Sequence, residues 1–162
     1  MISLLKISLM ACLGYIAFQD FQERKVFWFL FPMAMILFGL VHFMTVEEHE
    51  IFLNYVSLNL LLVTLIIILL YGYSRFIAKD KFLNHSLGLG DILFFYAFAT
   101  GFPTFTFIIL FANAILFSLL SFLVLKKKFK QQTVPLAGFM GLFLVFMMCF
   151  ELIFKSLSLY AY

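Results

Sequence analysis

Two aspartates stand at the ends of long apolar stretches, where an ionised side chain is costly. Asp20 ends the first apolar stretch, and Asp91 opens a later one in the sequence Gly88-Leu89-Gly90-Asp91. On insertion scales an aspartate at the centre of a membrane helix costs about 2.5–3.5 kcal/mol. Because such a residue needs a function or a partner to offset that cost, we interpret Asp20 and Asp91 as a candidate pair of carboxylates at membrane depth.

A pair of carboxylates can hydrolyse a peptide bond without a metal ion. The ionised carboxylate takes a proton from water, and the protonated carboxyl group donates a proton to the carbonyl oxygen of the substrate. Two like charges held close together cannot both ionise easily, so the pKa of one group rises and the titration belongs to the pair. The residues therefore predict Asp20 and Asp91 as the catalytic groups, with no metal and no cofactor.

Composition predicts an all-α polytopic membrane protein. The chain has 162 residues, of which 65% are hydrophobic and 12% charged, whereas charged residues make up about a quarter of a soluble domain. Long unbroken apolar runs replace the alternation typical of a β-barrel. We expect one integral-membrane domain over residues 1–162, in contact with the lipid bilayer and without a nucleic-acid partner.

Six apolar stretches approach the length of about 20 residues that a membrane-spanning helix needs. They are residues 2–19, 27–46, 51–73, 88–101, 104–125 and 136–159. The fourth and fifth predict a helical hairpin that turns at Gly101-Phe102-Pro103. The first lacks a small-x-small cleavage site, so we interpret it as a retained helix and not as a secretory signal.

The basic residues predict the orientation of these helices. Nine of the eleven Lys and Arg residues lie in three loops on one side: Arg24, Lys25, Arg75, Lys79, Lys81, Lys126, Lys127, Lys128 and Lys130. The opposite side has the acidic loop Glu47-Glu48-His49-Glu50. By the positive-inside rule the basic loops are cytoplasmic and both termini lie outside the plasma membrane. Both aspartates then stand at the cytoplasmic face.

Other reactive side chains within the apolar runs have simpler interpretations. Cys12 and Cys149 belong to no Cys-x-x-Cys pair, so we expect buried apolar side chains and not zinc ligands. Glu151 has Lys155 four residues later, a spacing that allows a helical ion pair. We expect Glu151 to face the bundle or the outer side, with no catalytic role.

The glycines and the aspartates also have an alternative interpretation. Gly88 and Gly90 allow an unusual backbone turn and leave room for an extended substrate beside Asp91. In a simpler reading Asp91 only caps a helix, and Asp20 only pairs with Arg24 at the membrane surface. That reading leaves open a membrane scaffold or a transporter-like protein without catalysis.

Three segments together resemble the type IV prepilin peptidases, which include the archaeal preflagellin peptidases. They are Asp20-Phe21-Gln22-Glu23-Arg24-Lys25-Val26, Gly88-Leu89-Gly90-Asp91 and Val134-Pro135-Leu136-Ala137-Gly138. The resemblance implies that Asp20 and Asp91 cleave the basic leader from prepilin-like or pseudopilin substrates at the cytoplasmic face. It also implies that Gly88, Gly90 and Pro135 form the backbone turns around the bound substrate.

The chain departs from the family pattern at several positions. Phe27-Trp28 stands where the family often has Pro-Asn, and Leu93 stands where it often has a lysine. The absence of that lysine leaves substrate choice and activity open. The segment with paired cysteines found in many bacterial members is missing, so we expect a peptidase without methyltransferase activity. Self-association is left open.

The Gly-x-Gly-Asp motif is shared by a second family, the presenilins and signal peptide peptidases. Gly88-Leu89-Gly90-Asp91-Ile92 is similar to their motif, and Pro135-Leu136-Ala137 is a scrambled form of their Pro-Ala-Leu. In that family the two aspartates lie on adjacent helices. Here 70 residues and two predicted helices separate Asp20 from Asp91, which favours the prepilin peptidases. An inactive homologue also remains an alternative.

Overall fold

The computed structural model describes residues 1–46, 48–75, 88–125, 134–154 and 159–160. Every regular element within these ranges is an α-helix, as the composition predicted. The helices are α1 (Ile2–Gln22), α2 (Leu30–Phe43), α3 (His49–Tyr73), α4 (Leu89–Ala99), α5 (Thr104–Leu125) and α6 (Leu136–Ile153).

Four of these helices, α1, α3, α5 and α6, are long and apolar enough to cross a membrane. Helices α2 and α4 have 14 and 11 residues. At about 1.5 Å per residue they reach roughly 21 and 16 Å, less than the hydrocarbon core of about 30 Å. The prediction of six spans is therefore reduced to four candidate spans and two short apolar helices. Four such helices indicate a membrane protein.

Helix α2 is shorter than predicted because of a proline. The sequence placed it at residues 27–46, but the helix runs from Leu30 to Phe43. Pro32 is the third residue of this helix, a first-turn position where the missing N–H costs nothing. A helix from Phe27 would instead place Pro32 in its interior. The N–H of Phe27 donates to Gln19 Oε1 at 3.1 Å, which holds the preceding turn.

Helix α4 lies in the core, and its C-terminal end is buried inside the protein. Its central side chains pack against phenylalanines of α2 and α5. The turn that follows, residues 101–103, is buried as well. The backbone carbonyls here are satisfied by polar side chains from other helices. Asn59 Nδ2 donates to the carbonyl oxygens of Ala99 at 3.0 Å and Phe102 at 2.8 Å, and His42 Nδ1 donates to that of Thr100 at 3.0 Å.

A buried ion pair joins α1 to α6 at the end of the bundle far from the aspartates. Lys6 Nζ lies 2.7 Å from Glu151 Oε2, and both side chains are 11% exposed. The same ammonium lies 5.1 Å from the ring centroid of Tyr160. Glu151 therefore faces the bundle, as expected, but its partner comes from α1. Lys155, the predicted partner, lies outside the described residues.

The remaining predictions on helix ends and cysteines have mixed outcomes. Helix α1 runs to Gln22, so Asp20 lies in its last turn and not beyond it. Helix α6 begins at the predicted residue, and its described part ends at Ile153. Cys12 is buried as predicted, whereas Cys149 is exposed on α6. Several charged residues used for the orientation lie outside the described ranges: Glu47, Lys79, Lys81, Lys126, Lys127, Lys128 and Lys130.

Candidate active site

The two aspartates meet where three helix ends come together. Asp20 lies in the last turn of α1, and Asp91 is the third residue of α4. Both carboxylates face the first turn of α6. The C-terminal end of α1 and the N-terminal ends of α4 and α6 therefore share one end of the bundle.

Adjacent backbone amides of α6 hold the two carboxylates. The N–H of Ala137 donates to Asp91 Oδ1 at 3.0 Å, and the N–H of Gly138 donates to Asp20 Oδ2 at 2.8 Å. Successive amide nitrogens are at most about 3.6 Å apart, so these two carboxylate oxygens are separated by no more than about 10 Å. The carboxylates are thus neighbours, although 70 residues separate them along the chain.

Helix α6 can accept both carboxylates because its first amides have no partner within the helix. The N-cap residue is Pro135, which makes no side-chain capping bond. The first turn of a helix leaves N–H groups without intrahelical acceptors, and the helix dipole favours negative charge there. Sequence reasoning named Pro135 but missed Ala137 and Gly138. The signal was a proline followed by small residues at the start of an apolar helix.

Gly138 is required for the close approach of α1 to α6. A Cβ atom added there would lie 3.0 Å from Asp20 Oδ2, 3.1 Å from Asp20 Cβ and 3.1 Å from Phe21 Cε1. Three contacts this short on one side leave no room for a methyl group without a shift. The glycine thus allows the amide of residue 138 to reach the carboxylate of Asp20.

Gly88 and Gly90, which precede Asp91, leave space for neighbouring side chains but do not form an unusual backbone turn. Gly88 has φ −73° and ψ 146°, an extended conformation open to any residue, and no glycine among the described residues has a positive φ. The N–H of Gly88 donates to Asp91 Oδ2 at 3.2 Å. A Cβ atom on Gly88 would lie 3.0 Å from that oxygen, and one on Gly90 would lie 3.2 Å from Phe31 Cζ. The expected unusual turn is therefore absent at Gly88, and the space left by the missing side chains of Gly88 and Gly90 is bordered by Asp91 and Phe31.

A cavity of about 310 Å³ opens beside the carboxylates. Its charged lining consists of Asp20, Asp91, Arg24 and Lys25. The rest of the lining is apolar or backbone: Val26, Trp28, Phe31, Gly88, Leu89, Gly90, Leu93 and Ala137. Gly88, Gly90 and Leu93, which the sequence singled out, are thus all in this wall, and Pro135 lies two residues before Ala137. A cavity of this volume has room for several water molecules beside the two carboxylates.

Arg24 brings a positive charge to this cavity from a strained backbone position. Its φ is 55°, the left-handed region, and it is the sole non-glycine residue with positive φ in the described part of the chain. That conformation costs an ordinary residue about 1–2 kcal/mol. Burial lowers the pKa of the guanidinium, while the negative charges of Asp20 and Asp91 act in the opposite direction. Both carboxylates are therefore within electrostatic reach of Arg24.

Within the described ranges, no group of three or more His, Cys, Asp or Glu side chains could hold a metal ion. The polar groups of the site include the two carboxylates, the amides of Ala137 and Gly138, the guanidinium of Arg24 and the ammonium of Lys25. Comparison of the chain with protein-family models, with curated proteins and with solved structures finds no match in any of the three. The functional assignment therefore depends on the site itself and on the sequence resemblance.

Proposed function

We propose that this chain is a membrane-embedded aspartic endopeptidase that removes the leader from prepilin-like or preflagellin-like substrates. In this proposal Asp20 and Asp91 are the catalytic residues. All six helices lie within the membrane, with α2 and α4 embedded between the four longer spans. The two termini are outside, and the site opens at the cytoplasmic face of the plasma membrane.

The observation that carries the proposal is the convergence of Asp20 and Asp91 on adjacent amides of α6. Two carboxylates that line one cavity, with these oxygens no more than about 10 Å apart, are compatible with general acid–base hydrolysis of a peptide bond. The one polar cavity described beside them supplies space for substrate. The three segments that resemble the prepilin peptidases are also the three that form this site.

The chemistry follows from the two carboxylates sharing one proton. The ionised carboxylate takes a proton from a water molecule, whose oxygen attacks the carbonyl carbon of the scissile peptide bond. The protonated carboxyl group donates its proton to the carbonyl oxygen. The tetrahedral intermediate then collapses: the carboxyl group that took the proton of water gives it to the leaving amine, and the other carboxylate takes back a hydroxyl proton of the intermediate, which restores the pair. The amides of Ala137 and Gly138 hold the two carboxylates in position throughout.

A second candidate function is supported by the same hydrogen bonds. Asp91 accepts the N–H of Gly88 at the start of its own helix, and both aspartates cap the first turn of α6. These contacts could be purely structural, in a membrane scaffold or transporter-like protein. The two functions differ in their response to asparagine. Asn caps helices about as well as Asp, but it cannot exchange the protons that hydrolysis requires.

The test is cleavage of pilin-like proteins from the same genome, co-expressed with the chain and followed by loss of the leader. We expect Asp20→Asn and Asp91→Asn each to abolish cleavage while the thermal unfolding temperature stays near that of the wild type. Glu23→Gln is the matched control, because Glu23 is an exposed carboxylate three residues after Asp20. It should retain full cleavage.

Full cleavage by either asparagine variant would refute the assignment. Absence of cleavage by the wild-type chain for all pilin-like candidates would favour the structural function. Cleavage of a model hydrophobic helix within its membrane-spanning part, and not at a basic leader, would instead favour the presenilin-like alternative.

A further inference from the structure

Arg24 occupies a position where glycine is the usual residue. It lies two residues after the end of α1, and its backbone has the left-handed conformation that commonly ends a helix. Glycine adopts this conformation without steric cost, and arginine does not. An unfavourable residue at such a position points to a role for its side chain.

The side chain of Arg24 lies at the candidate site. It lines the same cavity as Asp20 and Asp91 and interacts electrostatically with both. The described charged groups around the cavity are these three residues and Lys25, from the same loop. Helix α2 contributes Phe31 to the wall, and α6 contributes backbone at Ala137. Charged residues of segments 76–87 and 126–133 lie outside the described ranges.

We infer that Arg24 is a positioning residue that sets the protonation of the Asp20–Asp91 pair. A fixed positive charge beside two carboxylates favours their ionised forms, so the pair holds a single proton over a lower pH range than it would alone. Without the guanidinium, the mutual repulsion of two carboxylates is no longer offset. The pair then binds its protons at higher pH. The inference deepens the proposed function and rests on it for its role in catalysis.

Arg24→Gly is the decisive variant, because it removes the positive charge without adding strain to the backbone. Glycine relieves the left-handed strain, so the variant should unfold at the same temperature as the wild type or at a higher one. The readout is the infrared band of protonated carboxyl groups in the purified full-length chain, followed against pH. The part of the band that disappears in Asp91→Asn belongs to the pair.

We expect the midpoint of this band to move about one pH unit higher in Arg24→Gly, the smallest effect typical of an opposite charge within a few ångströms. Arg24→Lys, which keeps the charge, should remain close to the wild type. Lys25→Gln removes a charge of the same sign one residue later and should cause a smaller shift. Glu23→Gln should cause none.

An unchanged midpoint in Arg24→Gly, or an equal shift in Lys25→Gln, would overturn the inference. Since the infrared titration needs no substrate, it tests Arg24 even if no pilin-like protein is cleaved. Where cleavage is observed, the whole pH profile of the rate should move to higher pH in Arg24→Gly. A lower rate with an unmoved profile would indicate a structural role only.

Discussion

Gly138→Ala tests whether the approach of α1 to α6 builds the site. The added methyl group would lie 3.0–3.1 Å from two atoms of Asp20 and from the ring of Phe21. Real Cβ atoms rarely tolerate one such contact, and here there are three. The side chains of Asp20 and Phe21, the end of α1 or the first turn of α6 must give by a few tenths of an ångström. We expect this shift to lengthen the 2.8 Å hydrogen bond from the N–H of Gly138 to Asp20 Oδ2.

The expected change in the free energy of unfolding of Gly138→Ala combines destabilising contributions and a stabilising one. Overpacking in a tight contact typically costs about 1–3 kcal/mol, and a weakened hydrogen bond to a carboxylate costs a further 1.5–3 kcal/mol at most, about the net value of such a bond. Alanine returns about 1 kcal/mol because it is a better helix former than glycine. These contributions together span about 0–5 kcal/mol, and we expect a net loss near the middle of that range, about 2–3 kcal/mol, in the free energy of unfolding. Under the proposed function, displacement of the Asp20 carboxylate by a fraction of an ångström should lower cleavage about tenfold or more.

The assay is thermal unfolding of the purified chain together with cleavage of a pilin-like substrate. Gly14→Ala is the control, because a Cβ atom added at Gly14 on α1 meets no atom within 4 Å. That variant should be as stable as the wild type or more stable by up to about 1 kcal/mol. If Gly138→Ala matched Gly14→Ala in both unfolding temperature and cleavage, the close approach at Gly138 would not be needed for the site.

Two further predictions concern the opposite end of the bundle. Lys6→Met leaves the carboxylate of Glu151 buried without its partner and should cost about 3–5 kcal/mol of stability. The double variant Lys6→Met, Glu151→Leu should recover most of that loss in the same unfolding assay. A double variant as unstable as the single one would contradict the reasoning. Asn59→Leu removes the amide that donates to the carbonyl oxygens of Ala99 and Phe102 and should cost about 1–3 kcal/mol. Asn113→Leu, which removes only an exposed bond from Nδ2 to a carbonyl of its own helix, should leave the unfolding temperature unchanged, and an equal effect of the two substitutions would refute the proposed role of Asn59.

Much of the fold follows from local sequence properties. Helix α5 and the start of α6 agree with the predicted bounds because apolar length and flanking polar residues act locally. The predicted N-terminus of helix α2 was wrong, because hydropathy alone does not take account of Pro32, which favours a helix start close to it. The buried end of α4 could not be predicted, because the donors that satisfy its carbonyls, Asn59 and His42, come from α3 and α2.

The ion pair of Glu151 shows the same limit for a single charged group. The sequence offered Lys155 at helical spacing, whereas the structure pairs Glu151 with Lys6, 145 residues away. A spacing of four residues shows that two side chains of one helix can reach each other. It does not show whether a charged residue of a neighbouring helix lies closer.

By itself, the sequence determined that this is a helical protein with segments long and apolar enough to span a membrane, and that two carboxylates stand at the ends of apolar stretches. Those properties depend on composition and on residues adjacent in the chain. Only the tertiary structure decided that Asp20 and Asp91 share one site, because their common contacts are backbone amides of α6, 118 and 46 residues away. A proline followed by small residues marks the start of α6 in the sequence, but the packing of the helices decides which side chains its free amides bind, so these contacts could be found only from geometry.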